Sequence, residues 1–279
     1  PVGRNANRIG GAKFTLNGVT YELAKNSAEV NNLHSGPDYY RDRIWDAEVE
    51  ETALGTTITF GLHSPDGDQG YPGNADITVS YTLTPDNCLK LDYHMVSDAD
   101  TIANFTNHVY FNLGGYKSGS ALDQKVWIDA DYFTATDANS IPTGELVAVK
   151  GTPMDFTEMK PIGRDIQEDY QALKYGNGYD HNWALNHPAG ELSLSAKAED
   201  EKTGRTMEVY TDLPGVQFYT ANSLKTERGK NHAVYTPRCG YCFETQYFPD
   251  AINKPEFASP VIKAGEEYKT TTIYKFGVK

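Results

Sequence analysis

The sequence predicts an all-β protein built from antiparallel sheet, as a sandwich or a barrel. Three observations carry this. Short runs that alternate apolar and polar residues recur from one end to the other. Typed turn residues stand between them. No stretch holds the helical period of about 3.6 over the length of a real helix. A content of 25 Gly, 14 Pro and 19 Tyr in 279 residues leans the same way, towards strands and turns.

The elements follow in order. AKFTL and VTYEL flank Asn17-Gly18, a strong two-residue hairpin signal, so the chain starts in antiparallel sheet. Strands are then expected at 44–51, 56–62, 75–84, 88–97, 124–133, 191–200, 206–212, 215–222 and 267–276. Thr84-Pro85-Asp86-Asn87 and Lys202-Thr203-Gly204-Arg205 supply turns. The segments 24–43, 63–74, 134–180 and 223–238 are irregular, and loops of that length usually build binding surface. No repeat, linker or low-complexity tract divides the chain, so residues 1–279 are expected to form a single domain.

Two further strands carry most of the chemical interest. NFTNHVYFNL (104–113) alternates so that Asn104, Thr106, His108, Tyr110 and Asn112 share a polar face opposite Phe105, Val109, Phe111 and Leu113. His108 is a candidate acid or base, and Tyr110 and Asn112 suit uncharged hydroxyl-rich ligands. TPRCGYCFETQYF (236–248) reads as one strand with Cys242, Glu244 and Gln246 on one face. Aromatic neighbours would raise the pKa of Glu244 and make it a workable general base. Cys239 and Cys242 have redox-pair spacing, but on a strand they face opposite ways.

Composition narrows the ligand. A formal charge of -13 argues against nucleic acid and anionic membranes. No apolar run is long enough to span a bilayer, and PVGRNANRIGG lacks a signal-peptide core. Three cysteines suit a reducing compartment, which gives a cytoplasmic expectation. The histidine and cysteine spacing offers no metal site. No phosphate-binding glycine loop occurs either. Polar clusters rich in Asn, Gly and aromatics stand at 3–8, 31–37, 179–183 and 214–217, as carbohydrate sites do.

Taken in order, GRNANRIGGAKFTLNGVTYEL, NNLHSGP, RIWDAE, GYPGNADITVSYTL, NHVYFNLGG, GYDHNWAL, PGVQFYTAN, GYCFETQYFPDAINKPEF and TTTIYKF resemble the aldose 1-epimerases over nearly the whole chain. The resemblance implies a large antiparallel β-sandwich of the mutarotase-like supersandwich type, with an open sugar-binding cleft. It implies interconversion of the α and β anomers of free hexoses such as galactose and glucose, with no cofactor or metal. By matching motifs, His108 is the general acid and Glu244 the general base, while Asn7, Arg8, His34, Asp180 and Gln217 bind the sugar. The implied partner is a small aldose, with the chain a monomer or homodimer.

Some positions depart from the family pattern. Ser35 stands where Gly is usual, Val109 where Ser or Thr is common, and Arg238-Cys239 where His-Ser is common. These changes lie beside ligand-facing positions and bear on sugar preference. Family members also carry β-structure ahead of the G-R-x-A-N-R-I motif, so this chain is expected to lack it. Two other readings stay open: a non-catalytic sugar-binding sandwich, and a glycoside hydrolase using Asp180 and Glu244. A sugar-phosphate epimerase would need a cationic pocket that the acidic balance disfavours.

Overall fold

The computed structural model describes residues 1–279. Two antiparallel sheets face each other. The larger has nine strands, in the order Lys160–Pro161, Lys125–Ile128, Ser193–Glu199, Arg205–Thr211, Glu267–Val278, Cys88–Ser97, Ala75–Leu83, Gly55–Ser64 and Asp46–Thr52. The smaller has five, in the order Pro142–Ala148, Tyr132–Thr136, Asp180–Ala184, Gly215–Tyr219 and Cys242–Gln246. This is the expected large antiparallel β-sandwich.

A core of 35 buried residues runs between the sheets, with Leu91, Tyr93 and Met95 from one side meeting Trp183, Phe218 and Phe243 from the other. Alternation within each strand puts these residues on the inner faces. Polar bonds also link the layers: Thr245 and Thr272 hydroxyls lie 2.6 Å apart, and the Tyr274 hydroxyl donates to the Phe243 carbonyl at 2.8 Å. No helix is long and apolar enough to cross a membrane.

Three expectations about the elements need correction. The segment expected as one strand over 124–133 is two, Lys125–Ile128 in the large sheet and Tyr132–Thr136 in the small one. A tight turn, with Ala130 N–H bonded to the Ile128 carbonyl at 3.0 Å, carries the chain from one layer to the other. The segment 134–180 is not wholly irregular, since it holds the strand Pro142–Ala148 and the short helix Gln171–Gly176.

The third correction concerns residues 104–113, which form no continuous strand. Their backbone pairs only at isolated points: Asn5 with Asn104, Val2 with Thr106, and Tyr241 with Phe111. Between these points the partner changes, and residues 107–110 have no ladder beside them. Alternation then loses its meaning. Asn104 and Thr106 are buried, while Val109, expected in the core, is 42% exposed. The Asn104 and Asn107 amides satisfy polar needs that a ladder would have met, bonding the Tyr247 backbone and the Tyr274 hydroxyl.

His181 sits on the core face of its strand, edge-on to Phe133 and Trp183 at 6.0 and 6.3 Å. Burial lowers its pKa to about 4. The unfolded chain therefore takes up this proton first as pH falls below the ordinary histidine value, and the native state is destabilised over the interval down to about 4. The full effect is about 3 kcal/mol. Urea unfolding at pH 7 and pH 4.5 is expected to show a stability loss on acidification that is smaller in His181→Gln than in the parent protein by most of this amount.

Candidate active site

The outer face of the small sheet is the floor of the site. Registers align Asn182, Gln217 and Glu244 across three strands, and Asp180, Tyr219 and Cys242 in the next row. Because side chains alternate, His181, Trp183, Val216, Phe218 and Phe243 of the same strands point inward to the core. Gly215 lets this floor close up, since a Cβ there would lie 2.6 Å from Asn182 Oδ1.

The walls come from elsewhere in the chain. Arg8–Ile9 pairs with Asn32–Leu33, and this ribbon presents Arg8 and His34. Asn7 and His34 both take left-handed backbone, with φ of 62° and 54°. They are locked together: the His34 amide donates to the Asn7 carbonyl at 2.9 Å, and the Asn7 amide to His34 Nδ1 at 3.0 Å. The ladder-free break at 107–110 brings in His108 and Tyr110.

All seven residues expected at the site line one cleft of about 270 Å³: Asn7, Arg8, His34, His108, Asp180, Gln217 and Glu244. Tyr110, Tyr219, Leu33 and Ser223 complete it. Tyr110 is a ligand partner that the sequence itself suggests. Tyr219 could have been, because it lies two residues beyond Gln217 on the same strand face. Leu33 and Ser223 carry no such signal. Asn112, expected as a partner of hydroxyls, is instead spent on the backbone, donating to the Gly119 and Cys239 carbonyls at 3.0 and 2.8 Å.

His108 Nε2 lies 3.5 Å from Glu244 Oε1, and His34 Nε2 lies 3.9 Å from Glu244 Oε2. Glu244 is 2% exposed. Burial raises its pKa well above the ordinary carboxyl value, Asp180 adds to this, and Arg8 opposes it. Burial likewise lowers the pKa of His108, and that of His34 strongly. The contacts have ion-pair distances, yet burial favours the neutral forms of both imidazoles and of the carboxyl.

A polar chain runs beneath the cleft. Asn7 donates to Gln246 Oε1 at 3.3 Å, Gln246 to Gln217 Oε1 at 3.3 Å, and Gln217 to Asp180 Oδ1 at 2.7 Å. Asp180 Oδ2 also lies 3.8 Å from Arg8. Around this chain Arg8 Nε, Asn182 Nδ2 and Glu244 Oε2 are buried with no protein partner. Such groups gain from a ligand rich in hydroxyls.

His34, His108 and Glu244 offer ligand atoms within 4.8 Å of one another, a spacing a divalent cation could use. The chemistry of His34 does not fit. Its Nδ1 accepts the Asn7 amide, which places the ring hydrogen on Nε2, the atom a metal would need. The trio suits proton transfer better.

The family model for aldose 1-epimerase matches residues 1–275. The chain belongs to the aldose 1-epimerase family. Galactose mutarotase of Bos taurus is 42% identical over 278 residues, covering 99% of this chain and 78% of the relative. Aldose 1-epimerase of Escherichia coli K12 is 35% identical over 277 residues, covering 99% and 78%. The crystal structure of galactose 1-epimerase from Lactobacillus acidophilus superposes with a TM-score of 0.86 at 27% identity, covering 99% and 79%.

The departures from the family pattern lie beside the cleft, and Val109 lines an adjoining pocket that shares His34, His108 and Tyr110 with it. The Ser35 hydroxyl turns away to the Asn5 amide and the Tyr71 hydroxyl, at 2.9 and 3.0 Å. Arg238 has left-handed backbone and donates to the Asn177 carbonyl at 3.2 Å. The strand expected over 236–248 starts only at Cys242, because the Cys239 amide closes a turn onto Thr236. Neither Ser35, Val109 nor Arg238 lines the 270 Å³ cleft.

Proposed function

We infer that this chain is a mutarotase, interconverting the α and β anomers of free hexoses such as galactose and glucose, with His108 as acid and Glu244 as base. One observation carries the reading: an imidazole and a carboxyl far apart in sequence touch at 3.5 Å at the wall of a single uncharged-ligand cleft. The two oxygens to be served, the ring oxygen and the anomeric hydroxyl, are bonded to the same carbon. An acid and base side by side can reach both.

The pair is best treated as sharing one mobile proton. Burial raises the pKa of Glu244 and lowers that of His108, which favours the proton's place on the carboxyl at rest. Because the groups touch, its passage to the imidazole creates the reactive imidazolium and carboxylate without recourse to solvent. His108 then protonates the ring oxygen while Glu244 takes the anomeric proton, and the ring opens to the aldehyde. Rotation about the bond to the carbonyl carbon presents its other face. Reclosure with the roles exchanged yields the other anomer and restores both groups.

Asn7, Arg8, His34, Asp180 and Gln217 hold the remaining hydroxyls. Each positioned proton transfer contributes about 10² to 10⁴ in rate, and orientation adds to it. Asp180 is already engaged by Gln217 and Arg8, which suits a binding role better than service as a second hydrolytic carboxyl. The continuous core between the sheets supports residues 1–279 acting as one domain. Three unpaired cysteines support a cytoplasmic setting.

Optical rotation of freshly dissolved α-D-galactose and α-D-glucose tests this directly. The protein is expected to speed the approach to anomeric equilibrium. Saturable sugar binding with no acceleration would indicate a binding module, and reducing sugar released from a disaccharide would indicate a hydrolase.

A further inference from the structure

If His108 gives and takes its proton at Nε2, its other nitrogen has a duty of its own. A neutral imidazole carries a single N–H. Should that hydrogen sit on Nε2, no lone pair faces the cleft and the ring cannot take a proton back. The ring therefore needs an acceptor at Nδ1.

Cys242 stands there, with Sγ 3.4 Å from His108 Nδ1. It is fully buried on the floor strand, two residues before Glu244 and on the same face. Burial, reinforced by Glu244 and Asp180, raises the thiol pKa well above its ordinary value, so the sulfur stays uncharged.

We propose that Cys242 is a positioning residue for His108, its sulfur accepting the Nδ1 hydrogen and so reserving Nε2 for the exchangeable proton. This rests on the mutarotase reading above. A carboxylate at the same place would orient the ring equally well but would bind the imidazolium tightly and weaken it as an acid. A neutral thiol orients without that charge. Other groups facing the ring are Glu244 at Nε2, His34, Tyr110 and Tyr219 with ring centroids 5.5, 5.2 and 6.1 Å away, and the charges of Asp180 and Arg41.

The test reads the tautomer and the rate together. Long-range ¹⁵N–¹H correlation spectra of the sugar-free parent protein, assigned with His108→Gln, are expected to show neutral His108 with its hydrogen on Nδ1. In Cys242→Ala the hydrogen shifts towards Nε2, and kcat for galactose falls about 10-fold with KM little changed. Cys242→Ser, whose hydroxyl accepts better than a thiol, keeps the Nδ1–H form and recovers most of the rate. A parent spectrum with the hydrogen on Nε2 overturns the proposal. So does a fall in kcat with no change of tautomer, which would reduce Cys242 to packing. The spectra need no turnover, so an inactive parent protein counts against the mutarotase reading separately.

Discussion

Glu244→Gln is expected to lower kcat for galactose anomerisation by at least about 10²-fold while the protein stays folded. The amide has nearly the shape of the carboxyl it replaces, and the strand on either side is unchanged. What it loses is the ability to exchange a proton with the anomeric hydroxyl. Glu244 Oε2 has no hydrogen-bond partner in the protein, so no structural bond there is broken. Polarimetry with fresh α-D-galactose, beside a melting curve, separates the chemical loss from a folding defect. A variant running near the parent rate would remove Glu244 from the mechanism.

Trp183→Ala is expected to cost about 3–5 kcal/mol of stability, a large share of what a domain has to spare. Trp183 is fully buried behind the site floor. Its ring meets Phe156, Phe218 and Tyr179 at centroid distances of 5.8, 5.9 and 6.2 Å. Its indole N–H donates to the Met154 carbonyl at 3.1 Å. Truncation opens a cavity and strands that carbonyl together. Trp183→Phe, which refills most of the space, is expected to cost clearly less. Urea unfolding reads both; a loss under about 1 kcal/mol for the alanine variant would mean that the surrounding aromatics can collapse into the gap.

Much of this site was legible because strand periodicity and motif order are local properties. The face of Glu244 followed from counting by twos along Cys242–Gln246, and the structure keeps Phe243 in the core as that count requires. Counting by twos misplaced residues 104–113 because alternation presumes a partner strand running alongside, and here the partner changes midway. The true reason His108 reaches the cleft is that break. The alignment of Asn182, Gln217 and Glu244 is a matter of register between distant strands, and no local pattern encodes it. Likewise, the turn at Ala130 that sends one strand segment to each sheet lies inside a run that reads as continuous. His34 shows what spacing alone cannot supply: its tautomer, and with it the case against a metal, depends on an amide 27 residues away.

On the proposed mechanism, His108 and Glu244 work as one unit around a shared proton. The double variant tests it most directly: kcat for galactose in His108→Asn, in Glu244→Gln and in the two combined, on protein shown to be folded. Removing either partner should already disable the unit, so the combined variant is expected to be little slower than the slower single one. Losses that multiply, each substitution adding its full factor on top of the other, would show two groups acting independently and would rule out a shared proton.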